Sequence, residues 1–260
     1  MSFQLNSNVF YFQLNETRKL LYLLKMTCST KELFEWSLTK GVQLRGLTTR
    51  NFSTTGRGVM TTRYINTNDL ILSVPKSFLI TFDTVLKTFK YISREPSFYL
   101  TAKDLFLLFL VVEKRKEKKS DFHIYLKSVP KEYATPCCIS TRHKDILPYF
   151  VVEEMEKQNF IIQEHFQRIN KKIKCHREHF SMFTQKALEL DEVRWSWNVV
   201  NTRSVYFSPH DLSCSHDAFP KLKEVDFALA PLLDMLNHNS KAMVYIFLIK
   251  KKAERLSCVS

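Results

Sequence analysis

Glycine is scarce in this sequence, with four residues among 260. Because glycine tolerates left-handed backbone and allows close backbone approach, two glycines that fall together indicate a position where the backbone has a special task. Gly56 and Gly58 are such a pair, on either side of Arg57. The segment Gly56-Arg57-Gly58 is therefore the first candidate for a functional feature.

Long apolar runs are also missing. The longest, Leu105 to Val112, is far shorter than the roughly 20 residues that a membrane-spanning helix needs. The N-terminus has no segment typical of a secretory signal peptide. The sequence therefore predicts no contact with a membrane, and a location in the nucleus and cytosol.

The six cysteines form no C-x-x-C pair, which favours reduced thiols over disulfides. Two spacings resemble metal-ligand spacings: Cys175 and His176 with His179, and Cys214 with His216. Structural zinc sites usually combine two close-spaced ligand pairs, and neither group has a clear second pair. The sequence therefore predicts no metal site.

The net charge is strongly basic, at +13, with an isoelectric point near 9.4. Such a charge favours acidic partners, among them nucleic acid. The densest basic run, Lys114 to Lys119, follows an apolar segment and precedes a turn, which is typical of a solvated loop. Direct binding of nucleic acid is therefore not the favoured interpretation. Hydrophobic residues make up 45% of the chain, which is enough to build a core.

Residues 31–84 combine a helix with short strands. A helix is predicted from Lys31 to Lys40, with Ser29 or Thr30 as its N-terminal cap and Gly41 as its end. From residue 42 to 84, short β-rich pieces alternate with turn residues. This pattern favours small strands and hairpins over a βαβ unit.

Residues 83–190 are predicted to be mainly helical, followed by a short helix from Val193 to Val200. Within this region apolar residues recur at alternating steps of four and three, which predicts one long helix packed within the domain. A self-associating coiled coil is the alternative. The members of this stripe are Ile162, Phe166, Ile169, Ile173, His176, Phe180, Phe183 and Ala187.

Three segments carry candidate binding or catalytic residues. Asp234, Asn237 and His238 follow an apolar run, so they form a polar network, bind a ligand or cap a turn. Arg203 follows an apolar helix, where it suits a carboxylate ligand or an ordinary salt bridge. Gly56-Arg57-Gly58 taken alone favours a hairpin turn. Thr61 stands where a dinucleotide-binding motif has its third glycine.

In this order and spacing, the pieces resemble the split SET domain of the Rubisco large-subunit methyltransferase-like family of protein-lysine methyltransferases. The similarity also covers Thr54 to Thr62 and Leu126 to Tyr133, and it runs from about Lys31 to Asn239. The resemblance implies an α+β fold, in which the small β-sheets of a split SET domain are interrupted by a large helical insertion. The implied organisation is a leader (1–30), the N-terminal part of the SET domain (31–90), the insertion (91–190), the second part of the SET domain (191–240) and a divergent tail (241–260).

The resemblance further implies methyl transfer from S-adenosyl-L-methionine to a lysine of a protein substrate, histones included. Gly56, Arg57 and Gly58 are then expected along the methionine part of the cofactor. Asn237 and His238 are expected against its adenine and methionine ends. Arg203 is expected at both the cofactor and the substrate, and Asp234 at the substrate lysine.

The chain departs from the family near its end. The family's catalytic tyrosine stands in a Y-G segment a few dozen residues beyond the N-H motif, whereas this chain ends 22 residues after His238 and its tail contains no Y-G. Tyr245 is too close to the motif to replace it. The resemblance thus implies that the catalytic tyrosine, the final SET strands and the C-terminal helical domain are missing. The alternatives are a non-catalytic form that binds the cofactor or a partner, and a basic nucleic-acid-binding protein.

Overall fold

A computed structural model describes residues 28–53, 56–89, 100–207, 226–236, 245–249 and 255–259, which combine helices with small antiparallel sheets, as predicted. These residues form two compact units. The first unit contains the described residues up to Ile80, the segment Ile124–Ser128 and the described residues from Ala228 onward. The second unit contains those within Thr81–His123 and Val129–Phe227. The predicted domain ranges stay a prediction.

The first unit opens with helix α1 (Cys28–Thr39). It begins before Ser29 and Thr30, so these two residues lie in the first turn and not at the cap. Its end is the predicted one: Gly41 has a φ of 85°, and the N–H groups of Gly41 and Val42 donate to the carbonyls of Leu38 and Ser37. This pair of hydrogen bonds around a left-handed glycine is the Schellman motif, which satisfies the last carbonyls of a helix.

A four-stranded antiparallel sheet lies in the first unit, with the strand order β1-β4-β8-β7. Its strands are β1 (Gln43–Leu44), β4 (Leu70–Pro75), β7 (Tyr245–Ile249) and β8 (Arg255–Val259). The sequence did not predict strands in the tail, yet both tail strands belong to this sheet. β4 is buried along its centre, because β1 and β8 flank it on either side. The expectation that the final SET strands lie outside the chain stays a prediction.

Two further ladders are two-stranded. One is the antiparallel hairpin of β2 (Leu47–Phe52) and β3 (Gly56–Thr61). The other joins β5 (Ser204–Tyr206) to β6 (Phe227–Leu229), where the N–H of Phe207 donates to the carbonyl of Asp226 at 3.0 Å.

The second unit is built around helix α3 (Ala102–Arg115). Every residue from Leu105 to Val112 is buried. A short helix that is apolar on all sides is the centre of a globular core, and other helices surround this one. Besides α1 and α3, the helices that the structure describes are α2 (Phe82–Thr88), α4 (His123–Ser128), α5 (Tyr149–Cys175), α6 (Met182–Gln185) and α7 (Leu190–Arg203).

The predicted long helix is shorter than its apolar stripe. α5 ends at Cys175, because the backbone of His176 leaves the helical region with a φ of −127° and a ψ of 49°. Phe180 and Phe183 lie beyond this break and pack edge to face, with ring centroids 6.2 Å apart. Sequence periodicity records the spacing of apolar residues and does not detect such a break.

The buried histidine of α5 is His165, which was not among the residues of the predicted stripe. Its Nδ1 lies 2.6 Å from Oδ1 of Asp104, a fully buried carboxylate near the start of α3. Asp104 also accepts hydrogen bonds from Arg168 and from Thr101, which caps α3. Burial by itself raises the pKa of the Asp104 carboxyl, but the hydrogen bonds from His165, Arg168 and Thr101 outweigh it and lower that pKa to about 2.

A second group of polar contacts joins the C-terminal end of α3 to α7. The Arg115 guanidinium donates to both carboxylate oxygens of Glu192, at 2.8 and 2.5 Å, and to the carbonyls of Lys186 and Ala187. The guanidinium also lies 4.4 Å above the ring of Phe183. Burial raises the pKa of Glu192, yet the hydrogen bond from Arg115 leaves it below its usual value.

Of the helices that the structure describes, none is both long enough and apolar enough to span a bilayer. Within the same described ranges, no three His, Cys, Asp or Glu side chains form a group that could hold a metal ion.

Candidate functional site

The glycine-rich segment starts strand β3 of the first unit. Phe52 pairs with Gly56 and Arg50 pairs with Gly58, so both glycines lie in the ladder directly after the hairpin turn. Gly58 is buried. Positive φ angles are found at Gly41 and Gly46, the two glycines outside this motif. The segment is therefore part of a strand, and its two glycines leave one face of the start of that strand without side chains.

A short turn that carries Asp234 lies against β3. It is a 3-10 turn, Leu233–Met235, that follows strand β6. The chain enters it from Leu229, whose N–H and carbonyl both bond to Ile80, at 3.0 and 2.9 Å. Two segments that the sequence singled out, Gly56-Arg57-Gly58 and the turn of Asp234, are thus neighbours within the first unit, although the glycine segment lies in a strand and not in the predicted hairpin turn.

The backbone before Asp234 is strained. Leu232 has a φ of 74° and a ψ of −40°, a conformation that a non-glycine residue adopts at a cost of about 1–3 kcal/mol. Its side chain is almost fully buried, at 1% exposure, and this burial offsets the strain. The turn is closed by the N–H of Asp234, which donates to the carbonyl of Ala230 at 3.1 Å, and by that of Met235, which donates to Leu232 at 3.2 Å.

The Asp234 side chain is held by a residue far away in the sequence. The hydroxyl of Tyr125 donates to Oδ2 of Asp234 at 3.0 Å. Tyr125 is fully buried, whereas Asp234 is partly exposed. The arrangement presents a fixed carboxylate beside the glycine strand, and such a group suits a positively charged nitrogen.

Tyr125 was missed at the level of sequence. The stretch noted as similar to the family begins at Leu126, one residue later. A tyrosine between apolar neighbours was the available signal, because a buried tyrosine hydroxyl usually has a hydrogen-bond partner.

Arg203 is the last residue of α7, in the second unit. The helix closes there with the N–H of Ser204, which donates to the carbonyl of Val200. A cation in the last turn is favourable because the carbonyl end of a helix carries partial negative charge. Its predicted role at the cofactor and substrate stays a prediction.

Asn237 and His238 lie outside the described residues, as does the side chain of Arg57. Their predicted contacts with a cofactor also stay predictions. Of the seven site positions that the sequence singled out, Gly58 and Asp234 are the two in the first unit whose surroundings the structure describes most fully.

Several known proteins are similar in sequence along most of the chain. SET domain-containing protein 4 of Homo sapiens is 31% identical over 218 residues, which are 82% of this chain and 48% of that protein. Its counterpart of Artemia parthenogenetica is 28% identical over 209 residues, 80% of this chain and 49% of that protein. Actin-histidine N-methyltransferase of Gallus gallus is 25% identical over 214 residues, 80% of this chain and 34% of that protein. No model of a known protein family matches.

Solved structures with the same fold cover even more of the chain. The SET domain of LSMT bound to lysine and AdoHcy matches with a TM-score of 0.68 at 18% identity, over 89% of this chain and 50% of that one. Rubisco LSMT bound to AdoMet matches with a TM-score of 0.67, also at 18% identity, over the same shares. These likenesses confirm the predicted SET-domain fold. The chain spans about half the length of the relatives that it matches.

Proposed function

Since the chain is a homologue of SET domain-containing protein 4 and has the fold of a SET-domain methyltransferase, we propose that it acts in methyl transfer from S-adenosyl-L-methionine to a protein side chain. The observation that carries the proposal is a sequence similarity over 82% of the chain, at 31% identity. Three of the matches above name a methyltransferase activity or a bound cofactor: the actin-histidine enzyme and the two LSMT structures.

The residues of the first unit fit such a cofactor. S-adenosyl-L-methionine carries a sulfonium and an α-ammonium group, both positively charged. Asp234 is a half-buried residue whose carboxylate is fixed by Tyr125, and β3 begins with two glycines that allow close approach of a ligand to the backbone. We propose that Gly56, Arg57 and Gly58 line the cofactor.

The remaining predicted residues complete this proposal. Asn237, His238 and Arg203 are proposed to bind the cofactor as well, and Arg203 and Asp234 to bind the substrate. The cofactor supplies an activated methyl group, and a neutral nitrogen of the substrate accepts it in a single displacement. The chain's own task is to orient the two reactants and to exclude water.

We propose lysine as the accepting residue, because two structural neighbours were solved with lysine or methyllysine beside AdoHcy. Histidine is the second candidate, because actin-histidine N-methyltransferases match 80% of the chain at 24–25% identity. In either case a net charge of +13 favours a target with acidic surroundings. Histones stay a candidate substrate, and nucleosomes supply acidic surfaces through their DNA.

A calorimetric titration with S-adenosyl-L-methionine tests the cofactor proposal. We expect saturable binding by the purified chain, which Asn237→Ala and Arg203→Ala each weaken at least tenfold, as the loss of one charge-assisted hydrogen bond does. Arg142→Ala is the matched control, since Arg142 is exposed on a short 3-10 helix (Thr141–Ile146) of the second unit. A folded chain that binds no cofactor would contradict the proposal and favour a non-catalytic interaction protein.

A transfer assay identifies the accepting residue. The chain is incubated with methyl-labelled cofactor and with core histones, nucleosomes or cell extract, and the labelled protein is hydrolysed to amino acids. Label in methyllysine supports the first candidate, and label in methylhistidine supports the second. Cofactor binding without transfer to any protein would support the form that binds the cofactor but does not catalyse.

A further inference from the structure

Helix α4 contributes a five-residue segment, Ile124–Ser128, to the first unit, although the chain before and after it belongs to the second. Tyr125 lies in this segment and is 0% exposed. Its ring therefore occupies the core of the unit that carries the glycine strand and the Asp234 turn. The segment is too short to be stable alone, so its position must be set by contacts.

Two contacts hold the segment in place, and one hydrogen bond stabilises its own turn. The hydroxyl of Ser128 donates to the carbonyl of Tyr125 at 2.6 Å and closes the turn. Lys127 pairs with Glu32 of α1 at 2.7 Å. The buried ring of Tyr125 adds packing on all sides. The tyrosine hydroxyl is thus a donor whose location is fixed by the first unit itself.

That hydroxyl meets a carboxylate whose backbone is also fixed. It donates to Oδ2 of Asp234 at 3.0 Å, across 109 residues of sequence. The backbone of Asp234 is set by the closed turn after strained Leu232. A partly exposed aspartate normally samples several side-chain rotamers, and a buried donor selects the one that accepts its hydrogen bond.

We propose that Tyr125 is a positioning residue that holds the Asp234 carboxylate in the orientation needed to bind a primary ammonium group. The inference rests on the proposed function and deepens it. Two sources supply such a group: the α-ammonium of the cofactor and the side chain of a lysine substrate. The chemistry that Asp234 recognises is the same for both, and the experiment separates them.

The test compares the full chain with Tyr125→Phe, which removes the hydroxyl and keeps the ring. Tyr149→Phe is the matched control, because it removes a hydroxyl from a side chain that is 80% exposed. Three probes are titrated by calorimetry: AdoHcy, 5′-methylthioadenosine, which lacks the amino-acid part, and free L-lysine in the presence of AdoHcy. Thermal melts of all variants run alongside.

We expect Tyr125→Phe to weaken at least one ammonium-bearing probe about tenfold, the loss typical of a charged group that leaves its optimal geometry. Binding of 5′-methylthioadenosine should not change. A loss for AdoHcy assigns the cofactor's ammonium to Asp234, and a loss confined to L-lysine assigns the substrate's. Equal binding of all probes by Tyr125→Phe and by the full chain would overturn the inference, as would an equal loss for all three.

The variant Asp234→Asn provides a second test, which does not depend on the stability of Tyr125→Phe. It keeps an acceptor for the tyrosine hydroxyl and removes the charge, so it should weaken the same ammonium probe. Adding Tyr125→Phe to it should weaken that probe no further, whereas a merely structural tyrosine would cost as much again and refute the positioning role. If the unaltered chain binds L-lysine poorly but AdoHcy well, the AdoHcy arm alone decides. Failure of the unaltered chain to bind AdoHcy would refute the proposed function and this inference together.

Discussion

Replacing Asp104 by asparagine is expected to destabilise the second unit by about 2 kcal/mol at neutral pH. Asparagine is the neutral isostere of aspartate, so the substitution removes the charge and also replaces one of the two acceptor oxygens by an NH2 donor. The Asp104 carboxyl has its pKa lowered from 3.8 to about 2 in the folded chain. Each unit of difference between folded and unfolded pKa is worth about 1.4 kcal/mol, which gives the stated magnitude.

The dependence on pH has a definite sign. Because the folded pKa lies below the unfolded one, the charge of Asp104 stabilises the fold fully above about pH 5. The stabilisation falls as the pH drops through 3.8 toward 2, and about half of it is left at pH 3. The difference in stability between the unaltered chain and Asp104→Asn should therefore shrink in acid. Taking this difference cancels most of the effect of other titrating groups.

Tryptophan fluorescence provides the assay. The chain has three tryptophans, of which Trp195 and Trp197 lie on α7 of the second unit. In a Trp36→Phe background the emission reports that unit alone, and urea unfolding is followed from pH 7 to pH 3. Asp121→Asn, at an exposed position of the same unit, is the matched control. A destabilisation below about 0.5 kcal/mol at pH 7, or one that grows in acid, would refute the reasoning.

Three other substitutions test the left-handed backbone of two glycines and the hydrogen bonds of Arg115. Gly46→Ala should lower the stability of the first unit by about 2 kcal/mol, because φ is 72° and the new Cβ would meet the Arg63 side chain at 2.4 Å. Gly41→Ala, with a φ of 85° but its nearest atom at 3.5 Å, should cost about 1 kcal/mol, and equal losses in thermal unfolding would contradict the steric argument. Arg115→Lys should destabilise the second unit by about 2 kcal/mol, because lysine cannot bridge both oxygens of Glu192 and the two carbonyls at once. Arg142→Lys is its control. An unchanged urea midpoint for Arg115→Lys would show that the several hydrogen bonds of the Arg115 guanidinium add no stability.

Much of the local structure was predictable from the sequence. The cap chemistry at Gly41 identified the end of α1, and the spacing of apolar residues identified α5 and α7. The helix bounds were less accurate: α7 extends from Leu190 to Arg203, beyond both predicted ends. Apolar spacing is lost at helix ends, where polar residues such as Asn201 continue the helix on an exposed face.

The candidate site was only partly predictable. Gly58 and Asp234 were identified because a pair of glycines, and polar residues after an apolar run, can be recognised in the amino-acid sequence alone. Tyr125 was not identified, since the sequence near position 125 contains no sign of a contact with Asp234. Similarly, the sequence analysis did not single out His165, although it bonds to Asp104 across 61 residues.

By itself, then, the sequence determined the α+β class, the glycine positions where the backbone has a special role, and the resemblance to SET-domain proteins. These properties depend on local residue preferences and on the order of short motifs. Tertiary structure alone decided that the strands of residues 245–249 and 255–259 join the sheet that contains β4, and that Tyr125 donates a hydrogen bond to Asp234. Both depend on pairing between residues far apart in the chain, which local periodicity does not encode because it records only spacing along a single element.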